Sequence, residues 1–306
     1  KNKKKKKKKK GFAGVSRLLL RCFSLAIPRK NHSSTHVHHS ITYNETMEKN
    51  LNLANSIFKG FNDKNGLMIC GYEWGEESQS KGQEVIVDMT KDCTFSNKSL
   101  RYGDVAKTWV KYDKRIRTWF SMWGHPLNEE GLGDAFDKTI VQTNWAIESR
   151  KKSSPLPFYL QDENVDNFIR HIEELRPKVI LFMGSQLLTK LLRSYKVWDK
   201  FTPIMGNEVE KLQVLRMPDY HGSLAYINKF ENCIVVGLPH PSSGRGITNE
   251  YIEFCGSELN PIISQFKKDL RSRVPSAVRS RDERSATGWH PAKQPQSRCD
   301  GLPIAA

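Results

Sequence analysis

Several things are missing from this chain of 306 residues. No run of 18 apolar residues occurs, so neither a membrane span nor a membrane partner is expected. The six cysteines, Cys22, Cys70, Cys93, Cys233, Cys255 and Cys299, form no CxxC pair and no metal-ligand spacing. Free thiols in a reduced compartment and a site without metal follow from that. A Gly-x-Ser-x-Gly nucleophile elbow is also lacking: the nearest stretch reads Met183-Gly-Ser-Gln186, which argues against an α/β hydrolase of that design. No segment repeats, which sets repeat architectures aside.

A balance of charge is lacking too, but only at the ends. The chain carries 49 Lys and Arg against 33 Asp and Glu. Of these, residues 1–46 hold 13 basic and one acidic, and 271–306 hold 7 and 3, which leaves 29 of each sign for 47–270. The middle is neutral, so a nucleic-acid partner has to be argued from a site and local patches rather than from bulk charge. Lys3 to Lys10 is an unbroken lysine run that repels itself, and both tails are expected to be disordered. The first tail has two readings. One is a translated untranslated stretch with Met47 as the start; the other is a transit peptide, carrying Arg17, Arg21 and Arg29, several serines, Leu18-Leu-Leu20 and no acid before Glu45. An intracellular, cytoplasmic protein is expected on the first reading and a mitochondrial one on the second. His32, His36, His38 and His39 have no packed scaffold to hold a metal.

The 224 residues from Met47 to Leu270 suit one domain. Four apolar runs punctuate it: Gly66 to Cys70, Thr139 to Thr143, Lys178 to Met183, and Cys233 to Leu238. Runs this short and this uniformly apolar suit strands buried on both faces. Helices are expected over Asn50 to Lys59 with Gly60 as the stop, around Val105 to Trp119, over Glu163 to Leu175 before Pro177, over Ser185 to Ser194, and over Tyr251 to Asp269 with a break or second start at Pro261. Strands alternating with helices predict a three-layer α/β/α fold around a central four-stranded, mostly parallel sheet.

The chemistry gathers at strand ends. Gly71-Tyr-Glu-Trp-Gly75 follows the first run and His240-Pro-Ser-Ser243 the last, roughly 170 residues on. In a parallel sheet such loops share the carboxyl edge, where ligands bind. The glycines bracketing Glu73 let backbone approach a ligand, and Glu73 is an acid able to orient or deprotonate a water, although an exposed turn glutamate looks the same. His240 at a strand end can donate to a developing oxyanion or simply cap a loop. Asn144, just past the second run, carries an amide able to read a base edge, or sits in an ordinary turn. Trp109, Trp119, Phe120, Trp123, Phe136 and Trp145 fit core packing before they fit base stacking. Lys107, Lys111, Lys114, Arg115 and Arg117 interleave with them as a solvated helix face or a DNA-facing strip.

Taken in order, Ile69-Cys-Gly-Tyr-Glu-Trp-Gly75, Val141-Gln-Thr-Asn-Trp-Ala146, Arg176-Pro-Lys-Val-Ile-Leu-Phe-Met-Gly184 and Val236-Gly-Leu-Pro-His-Pro-Ser-Ser243 resemble the uracil-DNA glycosylase superfamily. The resemblance implies hydrolysis of the N-glycosidic bond of a flipped uracil or related damaged base in single- or double-stranded DNA, without cofactor, by a monomer. It puts Glu73 at the water-activating position and His240 opposite the base carbonyl. Asn144 would read the base, with Phe95 or Tyr72 as aromatic partners. Ser242, Ser243, Arg245, Gly184 and Ser185 would contact DNA phosphates. This chain departs from the pattern at Trp74, where the family has Pro, in the longer Glu73, and in Gly244-Arg-Gly246, which offers no apolar wedge. It also lacks the cysteines that hold an iron-sulfur cluster in some branches. A binder of nucleotide or nucleic acid that excises nothing is the alternative on the same fold, and an unrelated hydrolase using Asp219 or His221 of Pro218-Asp-Tyr-His-Gly222 is a third reading.

Overall fold

Each of the four apolar runs forms a strand, and together they make the parallel part of the sheet. The computed structural model describes residues 51–74, 88–103, 106, 110–148, 154–242 and 246–273; the two tails and the Trp109 and Lys107 positions lie outside them. The strands are β1 (Leu67–Gly71), β2 (Ile140–Asn144), β3 (Val179–Met183), β4 (Glu208–Leu215), β5 (Ala225–Phe230) and β6 (Ile234–Leu238). The long helices are α1 (Val110–Met122), α2 (Asp162–Leu175), α3 (Tyr195–Met205) and α4 (Asn249–Arg273). Short helical turns occupy Ser99–Tyr102, Ala135–Thr139 and Leu156–Tyr159, and a π-helical segment spans Leu187–Leu192.

The sheet has six strands in the order β2-β1-β3-β6-β5-β4, two more than expected. The pairs β1/β2, β1/β3 and β3/β6 are parallel, while β5 runs antiparallel to both β6 and β4. β1, in the middle of the first three, connects to β2 on one side and β3 lies on the other, so the topology reverses there. The loops leaving β1 and β3 therefore open a crevice at their carboxyl ends. Alternate strand residues face opposite layers. Met68, Cys70, Val141, Ile180 and Phe182 pack with α2, α3 and the π-helical segment. Leu67, Ile69, Ile140, Leu181 and Leu238 pack with α1 and α4. Helices thus cover both faces, and each fully buried Leu, Ile or Phe contributes about 1.5–3 kcal/mol. Trp119, Phe120, Trp123, Phe136 and Trp145 are all core residues.

Three expectations need correction. Residues 52–59 form no helix. They lie along the free edge of β2 instead: Ala54 N donates to Gln142 O at 2.9 Å, Asn55 Oδ1 accepts from Gln142 N at 2.8 Å and Asn55 Nδ2 donates to Ile140 O at 2.9 Å. An edge strand's unpaired backbone groups demand partners, and this outweighs a weak helical periodicity. Pro261 does not break the last helix, which runs through it and three residues past the expected domain end. Burial of Leu259, Ile263, Phe266 and Leu270 offsets the one backbone bond that proline removes. The β4–β5 hairpin and α3 were not expected at all. At the other margin, β4 exposes Val209, Glu210 and Lys211 in succession and has register shifts at Glu208/Glu210 and Glu210/Gln213.

Candidate functional site

The end of β1 meets the end of β2 in register, Gly71 opposite Asn144. Gly71 leaves room for the Asn144 amide: a β-carbon there would collide with Asn144 Oδ1 and force it to move. Asn144 as a residue is only 6 % exposed, and its amide makes no hydrogen bond with the described residues. Its backbone is fixed from behind: Asn167 Nδ2 donates to Asn144 O at 3.2 Å and to Trp145 O at 3.0 Å.

Tyr112 of α1 closes the other side. Its hydroxyl would stand 3.3 Å from a β-carbon at Gly71, and it has no hydrogen-bond partner among the described residues. Burial raises its ionisation well above the usual phenol value, so it remains a donor. The His240 ring sits between two phenols, with centroids 5.7 Å from Tyr112 and 5.9 Å from Tyr72. Burial lowers the His240 pKa, keeping the ring neutral at pH 7. Its Nδ1 accepts from Ser242 N at 3.2 Å, which places the proton on Nε2 and makes that nitrogen a donor. Arg115 of α1 fastens the same loop by donating to Pro241 O at 2.5 Å.

Tyr72, just past β1, spans the crevice towards β3. Its ring lies against Gly184, where a β-carbon would strike it and where φ is +156°. The Tyr72 oxygen faces the backbone N–H groups of Gln186 and Leu187. Leu187 N also donates to Gly184 O at 2.9 Å, and the phenol thus sits over the turn expected to bind phosphate through Gly184 and Ser185. The ring packs at 5.3 Å from Tyr159, and burial pushes the Tyr72 hydroxyl up to about 12.

Glu73 is engaged. Its Oε1 accepts from Ser154 N at 3.1 Å and its Oε2 from Ser154 Oγ at 2.9 Å. Tyr159, whose pKa burial and then the Glu73 charge push up to about 12, adds its hydroxyl as a further donor. A carboxylate has about four lone-pair sites, so room for one more donor remains. Beside it, the Trp74 indole N–H is buried without a partner.

Phe95 is not displayed to the site: it is 1 % exposed, with Lys98 Nζ 5.2 Å over its ring. Ser243 and Arg245 lie outside the described residues. Asp219 and His221 are exposed on the loop between β4 and β5. The structure therefore brings together Gly71, Tyr72, Asn144, Gly184 and His240. Tyr112, Tyr159 and Ser154 were missed by sequence reasoning. Only Tyr112 carried a signal, as an isolated tyrosine in the basic stretch of α1, and nothing local showed that α1 would cross this edge. No protein-family model matches this chain, and no curated protein matches it. The glycosylase-like reading rests on these residues and their geometry.

Proposed function

We propose that the site holds a planar nucleobase and that the protein is a DNA glycosylase hydrolysing the N-glycosidic bond of a flipped uracil or related base. The observation that carries this reading is the Asn144 amide, without a hydrogen-bond partner among the described residues, beside the Tyr112 hydroxyl at the bare backbone of Gly71, with the His240 ring against Tyr112. An amide offers one donor and one acceptor side by side, the complement of an N–H/C=O base edge. His240 Nε2–H then supplies a donor to a carbonyl that becomes negative as the glycosidic bond breaks. The neutral ring can donate through Nε2–H while its Nδ1 accepts from Ser242 N and so keeps its orientation. A water held by the remaining lone pair of Glu73 would add to the sugar carbon, its proton passing towards the carboxylate.

One observation favours the second reading, a binder that excises nothing. Glu73 already accepts from Ser154 and Tyr159, which leaves few of its lone pairs for a water. The test is to incubate the full chain with uracil-containing single-stranded and duplex DNA and assay alkali-labile sites, alongside Asn144→Ala, His240→Ala and Glu73→Gln. The expected result is cleavage that drops about 100-fold or more in the first two variants. Retained binding without cleavage by any protein moves the conclusion to the non-excising reading. Absence of both cleavage and binding overturns both readings.

A further inference from the structure

The β4–β5 connection, Arg216 to Leu224, reaches the same edge of the sheet as the site. β5 begins beside the end of β6, Tyr226 opposite Gly237, so this loop lies next to the one carrying His240. The two loops touch. Tyr220 Oη donates to Gly246 O at 2.5 Å, and Gly222 packs directly on the Gly246 backbone.

The loop is fastened at both ends by one side chain. Tyr251 of α4 donates its hydroxyl to Leu215 O at 2.9 Å and accepts from Ala225 N at 2.5 Å. Tyr220 stacks on the Tyr251 ring at 3.8 Å and 6°. A connection of nine residues clamped at its base, stacked in its middle and bonded to its neighbour is prearranged for contact, which lowers the ordering cost of binding.

Within it lies a cavity of about 580 Å3, lined among others by Arg216, Met217, Tyr220, His221 and Leu224. Its titratable side chains are a guanidinium, an imidazole and the Tyr220 phenol, and no carboxylate lines it. The rest is apolar or aromatic. Donors for a phosphate beside a flat apolar wall match one nucleotide of a strand, with phosphate and base each having a counterpart. Strands in a sheet stand about 4.8 Å apart, so β5 and β4 displace this cavity from the end of β6 by about one nucleotide's reach.

We propose that this cavity is a second nucleic-acid subsite, taking the phosphodiester and base of the nucleotide that flanks the one held at Asn144 and His240. Arg216 and His221 grip the phosphate; Met217, Tyr220 and Leu224 support the base. The proposal rests on the nucleobase reading of the main site and gives that site its strand contact.

The test is equilibrium binding of the full chain to deoxyuridine and to a deoxyuridine-centred trinucleotide carrying flanking phosphodiesters, in the wild type, Arg216→Ala and His221→Ala. The wild type is expected to bind the trinucleotide at least tenfold more tightly than the nucleoside. Each variant should lose most of that gain, with nucleoside affinity unchanged and circular dichroism identical. If the gain survives in both variants, the subsite is wrong while the main-site reading stands. If the wild type binds neither probe, the main-site reading fails and the subsite with it. If Arg216→Lys, which keeps the charge without the bidentate fork, restores the gain lost in Arg216→Ala, a simple phosphate contact is supported.

Discussion

Gly71 is the residue at which backbone geometry and chemistry meet most closely. Adding one methyl group forces Asn144 Oδ1 to move, and displacements of about 1 Å in a reacting site cost about 100-fold in rate. Gly71→Ala is therefore expected to abolish base binding or cleavage at ordinary enzyme concentrations while the cooperative thermal transition persists, as a melting curve would check. His240 yields a second expectation. Protonating Nδ1 breaks its bond from Ser242 N–H, since both groups then donate. Because burial lowers this pKa, the ring remains neutral to below its ordinary value of 6.5. Activity is accordingly expected to hold as pH falls to about 6.5 and to decline only below it. A pH–rate profile whose acid limb lies above that value would contradict the assignment.

Between elements, the connection of greatest consequence is a buried ion pair. Lys98 Nζ bonds Asp113 Oδ2 of α1 at 2.7 Å, with both side chains under a tenth exposed, and also donates to Gln142 Oε1 of β2. One ammonium thus ties the chain before the Ser99–Tyr102 turn to a helix and to the strand bearing Asn144. Removing one partner of such a pair leaves a buried charge uncompensated, at about 3–5 kcal/mol. Lys98→Met is expected to cost that much in denaturant unfolding, and Lys98→Met with Asp113→Leu to recover a large part of it. How legible such elements were depended on where their partners lay. The four parallel strands announced themselves because burial on both faces makes a run uniformly apolar, and Asn144 and His240 followed as strand-end residues. β4 did not, because its Glu208, Glu210 and Lys211 give it the polarity of a loop or helix. Nor did the segment at 51–59, whose pairing with β2 depends on residues more than 80 positions away. Tyr112, Tyr159 and Ser154 entered the site by the same long-range route, which no local pattern records.

At the scale of the molecule, His171 couples folding to pH. Its Nδ1 faces Asn167 O at 2.6 Å, Thr143 Oγ1 lies 2.7 Å from Nε2, and Leu51 O also faces Nε2. Carbonyls favour the charged ring, yet complete burial outweighs them and brings the pKa down to about 4. An unfolded chain takes up this proton near pH 6.5 and the folded one near 4, so the contribution is full above 6.5 and is lost as pH falls towards 4. Between pH 7 and 5 the wild type is expected to lose about 2 kcal/mol more than His171→Gln, a difference that paired chemical denaturation at both pH values would reveal. Asp137 works in the opposite direction. Burial raises its carboxyl to about 6, so below that value it favours the folded state; the comparison has to be between variants rather than on the wild type alone. Among the described residues no helix is long and apolar enough to cross a membrane.

The two margins of the sheet differ in how they end. Beyond β2 the chain itself supplies a counterfeit strand in Ala54 and Asn55, while β4 faces outward with its ladder twice interrupted and charge along it. Neither margin presents the flat, continuous row of donors and acceptors that a stray extended peptide needs as a template. A fold that enlarges its sheet to frame a ligand site gains a new edge in doing so, and here that edge carries its own protection against fibrillar growth.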